Sequence, residues 1–83
     1  MIVTDTPAVR EAAANVSAAR VVVRRAVGAA EVLDYGRART LAYNAVEAAE
    51  QSRDQLRADL ERAVRAANPG AVEAELQAAV RAL

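Results

Sequence analysis

The chain has no histidine, cysteine, tryptophan, phenylalanine or lysine, and only two tyrosines. Each absence removes a class of function. Without His or Cys, neither a Ser-His nor a Cys-His nucleophile can be assembled, and Ser17 and Ser52 lack a base of the usual kind. A di-iron bundle needs a Glu-x-x-His motif that this chain cannot supply. Glycine is also scarce: the three glycines stand apart, so no glycine-rich phosphate loop exists. The carboxylates Glu47, Glu50 and Asp54 share one helical face, but an exposed acidic face is the simpler reading. We therefore expect no enzyme, no metal and no cofactor.

Net charge is missing too. Eleven arginines balance eleven acids, giving a formal net charge of zero. A neutral chain offers no global attraction for nucleic acid or an anionic membrane. The balance is mildly uneven, with six Arg against four acids in residues 1–45 and five against seven in 46–83. No apolar run approaches the ~20 residues of a membrane span. The longest charge-free stretch, Ala12 to Ala19, has eight residues. The start Met1-Ile2-Val3-Thr4-Asp5-Thr6-Pro7 has neither the basic segment nor the apolar core of an export signal, so a cytoplasmic location is expected.

What is abundant is alanine, 23 of 83 positions, with twelve Val, six Leu and one Ile set among them at helical spacing. Eighty-three residues make one small domain, residues 1–83. Thr6 can cap a helix that Pro7 opens, where the missing N–H costs nothing. A heptad then runs through Val9, Val16, Val23 and Ala30 at one position and Ala12, Ala19, Ala26 and Leu33 at the other. The pattern fails near residue 34, beside Asp34-Tyr35-Gly36, where Gly36 can take the left-handed conformation that ends helices. Gly28 sits inside the pattern, as a close approach or a mild weak point.

A second helix follows over about 37–67, with a seam of Ala42, Val46, Ala49, Leu56, Leu60, Ala63 and Ala67 that only Arg53 interrupts. Asn68-Pro69-Gly70 then breaks the chain, with Asn68 able to cap and Pro69 able to start a third helix over about 69–82. The expected fold is all-α: an antiparallel hairpin of two long helices, about 7–34 and 37–67, joined by Val/Ala seams and followed by a short C-terminal helix. A single unbroken helix to residue 67 is the alternative that the phase break disfavours.

Helix 1 is apolar on more than one side. Ala14, Ala18, Val21, Val22, Ala29 and Val32 form a second stripe, which a third helix or a partner chain must cover. Tyr35, Arg37, Arg39 and Tyr43 gather at the hairpin tip, and Tyr and Arg are the residues enriched at interface hot spots. Arg20, Arg24 and Arg25 form the densest basic cluster, a candidate anion contact. Along helix 2, Glu61–Arg65, Glu50–Arg53, Asp54–Arg57 and Asp59–Arg62 stand at ion-pair spacing.

The pattern points to a non-catalytic structural or assembly subunit, homo-oligomeric or part of a larger complex such as a phage or bacterial particle. Two rivals stand beside it. One is a small dimeric regulator binding nucleic acid, repressor- or antitoxin-like, through Arg20, Arg24 and Arg25. The other is an accessory chain of an enzyme complex.

Overall fold

The computed structural model describes all residues, Met1–Leu83. Three helices follow in order, α1 (Pro7–Glu31), α2 (Arg37–Ala67) and α3 (Glu73–Ala82), with no strand. The fold is the all-α hairpin with a short C-terminal helix. Helix α1 starts as its sequence dictates: the Thr6 hydroxyl accepts from the Val9 N–H at 3.2 Å and Pro7 opens the helix.

The tip differs in detail from expectation. Helix α1 ends at Glu31 rather than near 34, and Val32–Gly36 form the turn. Gly36 has φ +99°, but it caps the start of α2 instead of ending α1. Arg39 secures this turn by donating to the Asp34 carbonyl oxygen at 2.7 Å. Gly28 lies in the helix with open space where a Cβ would stand, so no close approach requires it.

Helix α3 also begins later, at Glu73. The Asn68 carbonyl accepts from the Ala71 N–H at 3.2 Å, and Gly70 has φ +82°. Pro69 and Gly70 are thus the two central residues of a type II turn, which demands a positive φ at the second. Pro69 is used up in the turn and cannot open the helix.

The α1 seam faces α2. Val9, Val16, Ala19 and Ala30 are buried, and Ala12, Val23, Ala26 and Leu33 are half-buried. On α2, Val46 and Leu60 are buried while Leu56, Ala63 and Ala67 are half-buried. Val64, outside the expected seam, is fully buried because α3 packs on the next strip of α2 round from it. The core sits at the base of the hairpin, where Val9, Val16, Leu60, Val64, Leu76 and Val80 meet. Towards the tip only Val46 and Ala30 are buried, so this end is two helices thick and no more.

Two polar devices hold the base. Residues 1–5 fold back, and the buried Asn68 side chain accepts from the Val3 N–H at 2.6 Å and donates to the Val3 and Val64 carbonyl oxygens at 2.8 and 2.9 Å. On the surface, Arg65 donates to Glu73 at 2.6 and 2.8 Å and to Glu61 at 2.8 Å, tying α3 to α2. Gln77 donates to both carboxylates. The Arg65 hydrogen bonds, followed by that from Gln77, pull the Glu73 carboxyl down to about 2. Glu61 is lowered as well, first by Gln77 and then by Arg65. Arg65 is raised in turn, chiefly by its bonds to Glu73.

Carboxyls with depressed folded values stabilise the fold fully above their unfolded value of about 4.3 and lose that contribution as pH falls through the folded value. Arg65→Ala should therefore melt below the parent at pH 7 by circular dichroism, with the gap closing as pH approaches 2. A gap of equal size at pH 2 would show that the clamp works through packing instead.

Candidate interaction surfaces

Two grooves run along opposite flanks of the helix pair, because residues two apart on a helix point roughly 200° apart. The first flank carries Ala18 and Val22 and the second Arg20 and Arg24.

The first groove is lined by Asn15, Ala18, Ala19 and Val22 of α1 and Ala49, Ser52 and Leu56 of α2. Alanine and valine let it form: short side chains leave a furrow between the backbones that Leu or Phe would fill. It merges with the second stripe of α1. Ala14, Ala18, Val22, Ala29 and Val32 are all exposed, and Val21 is half-buried. Val22 is 55% exposed and Val32 81%. Helix α3 does not reach this stripe, since its ten residues pack on α2 at the base, where Leu76 and Val80 join the core.

The second groove is lined by Arg20, Val23 and Arg24 of α1 and Arg53, Asp54 and Arg57 of α2. Hairpin register thus adds two α2 arginines to the expected Arg20 and Arg24 and leaves Arg25 outside. Arg20 donates to the Leu83 main-chain oxygen at 3.4 Å, beside the end of α3. Arg53 donates twice to Asp54 Oδ1, at 3.0 and 3.1 Å, and lies 4.0 Å from Glu50. Asp54 is therefore engaged by Arg53 and not by Arg57, against the expected Asp54–Arg57 pair. The expected Glu61–Arg65 and Asp59–Arg62 pairs are present.

At the tip, Tyr35, Gly36, Arg39, Thr40, Tyr43 and Asn44 line a shallow hollow. Tyr35 is 92% exposed, and the Arg39 guanidinium lies 5.4 Å from the centre of the Tyr43 ring, within cation–π range. Arg39 and Tyr43 are thus held by each other and by the turn, while Arg37 and Tyr35 stand free in solvent. Sequence reasoning missed Leu41, which is 56% exposed and adds apolar area there.

No protein-family model matches the chain, and comparison with curated proteins and with solved structures finds no significant match. Glu47, Glu50 and Asp54 share a face, but no group of three or more acidic side chains converges as a metal ion would require. No helix is long and apolar enough to cross a membrane.

Proposed function

We propose that the protein is a non-catalytic helical assembly subunit that works by burying the apolar flank of its hairpin against a second copy of the chain, within a larger complex of the phage-particle or bacterial-particle kind. The observation that carries this reading is an excess of surface. The chain exposes 5654 Å² and has a mass of 8.7 kDa. A compact monomer of that mass exposes about 4,700 Å². The surplus, about 900 Å², is close to the ~800 Å² that each partner contributes to a standard stable interface. Shape agrees: the radius of gyration is 16.1 Å, against about 12 Å for a compact chain of this length.

The first groove is where the surplus is apolar. Ala18, Ala19, Val22 and Ala49 present small side chains that let a second hairpin approach closely, as four-helix packing needs. Isologous contact, groove on groove, closes into a dimer with no free edge left over.

Val22→Asp tests it. Val22 is more than half exposed, so a charge there leaves the fold of one chain intact, whereas in a dimer it would sit unpaired at the centre of the contact. Sedimentation velocity should show the parent as an oligomer and the variant as a helical monomer. A variant as oligomeric as the parent places the contact elsewhere.

A further inference from the structure

The second groove carries chemistry of a different kind, on the flank away from the proposed self-association contact. Arg20 and Arg24 lie one turn apart on α1, and Arg53 and Arg57 one turn apart on α2. Each pair spans about 6 Å along its helix at 1.5 Å per residue. All four arginines therefore line one opening as two facing rungs, with Val23 the only apolar residue and Asp54 the only carboxylate in the lining.

Farther along α2, Arg62 is paired with Asp59, and Arg65 with Glu61 and Glu73. In the groove two of the four are anchored and two are not. Arg53 is held by Asp54, and Arg20 is held by the Leu83 main-chain oxygen. Arg24 and Arg57 have no carboxylate within ion-pair reach and are exposed. The four arginines outnumber the two carboxylates they reach, Asp54 and Glu50, both through Arg53, so positive charge is in excess here and an anion between the free guanidiniums is attracted. The lining offers one apolar side chain, so an amphipathic helix laid here would bury little apolar surface. A compact, multiply charged oxyanion suits the groove better, and the planar guanidinium fork matches phosphate oxygens two at a time.

We infer that Arg20, Arg24, Arg53 and Arg57 form a binding site for a chain of phosphate groups. The same chemistry is offered by a free oligophosphate and by the backbone of a single nucleic-acid strand.

The experiment is a titration of isotope-labelled protein with sodium tripolyphosphate and, separately, with a short oligothymidylate at low salt, reading the arginine Nε–H signals by nuclear magnetic resonance. The four groove arginines should shift together and saturate. The double variant Arg24→Ala/Arg57→Ala should bind at least tenfold more weakly, because it removes two exposed side chains and no packing. The charge-matched Arg25→Ala/Arg37→Ala variant should bind like the parent. For the oligothymidylate, four phosphate contacts give a slope of about −3 in log affinity against log salt. Tighter binding of the oligothymidylate identifies the nucleic-acid backbone as the ligand, and tighter binding of tripolyphosphate identifies the free anion; both support the site. Absence of saturable shifts, or equal weakening in the two double variants, overturns it.

Discussion

Replacing Leu60 with alanine is expected to cost about 2–5 kcal/mol, the usual range for a buried leucine truncated to alanine. Leu60 is fully buried at the centre of the six-residue cluster in which all three helices meet. Proteins of this size are stable by roughly 4–12 kcal/mol in total, at 0.05–0.15 kcal/mol per residue, so the loss is a large share of what holds the chain folded. It also removes the surface on which α3 docks. A helix of ten residues is marginal alone, so α3 should melt with its seat. Urea titration followed by circular dichroism should show a much lower midpoint. Val46→Ala at the thin end, though also buried, should move the midpoint far less, because fewer side chains surround it. Equal shifts for the two variants would mean that the core is not concentrated at the base.

The second large effect belongs to Asn68. Its side chain makes three hydrogen bonds, two to the main chain of Val3 and one to the Val64 carbonyl, and it is 8% exposed. Asn68→Ala leaves those main-chain groups to find water in a partly closed site, at a cost of about 1–3 kcal/mol. Asn68→Asp is the sharper variant. It keeps the size but replaces the donating amide with an acceptor that faces two carbonyl oxygens, so at neutral pH a charge is buried against like partial charges. Both variants should release the N-terminal arm. Hydrogen exchange reads this directly: the Val3 N–H, protected in the parent, should exchange at the rate of an open chain in both. If Val3 stays protected in Asn68→Ala, Ile2 packing on the core is what holds the arm.

Much of the fold was legible because helices announce themselves locally. The three–four spacing of Val9, Val16, Ala19 and Ala30 reports which face α1 buries, and Thr6-Pro7 reports where it begins. Helix ends were less legible, since one residue type serves several backbone roles. Gly36 reads equally well as the end of one helix or the start of the next, and Pro69 as a helix opener or a turn residue. Local hydrogen bonds decide between them: the Gly36 carbonyl accepts from the Thr40 N–H, and the Asn68 carbonyl from the Ala71 N–H. Long-range partnerships could not be read at all. The bonds of Asn68 to Val3 join residues 65 positions apart, and nothing near either residue signals them. Val64 lay off the α2 seam and is buried only because α3 returns over it.

The interaction surfaces divide in the same way. The exposed stripe of α1 followed from having more apolar positions than one seam can use. The arginine groove did not, because its membership depends on hairpin register: that register brings Arg53 and Arg57 of α2 beside Arg20 and Arg24 and turns Arg25 away. Local spacing even misled, as Asp54 pairs with its neighbour Arg53 and leaves Arg57 free for the groove.

The proposed dimer covers the apolar flank of this thin hairpin with a second copy of the chain. The most direct measurement is the molar mass of the parent by light scattering on a sizing column, over a dilution series, with circular dichroism on the same fractions. A helical species at twice the 8.7 kDa chain mass or a higher multiple, resistant to dilution, is the result expected. A helical monomer at every concentration would contradict self-assembly.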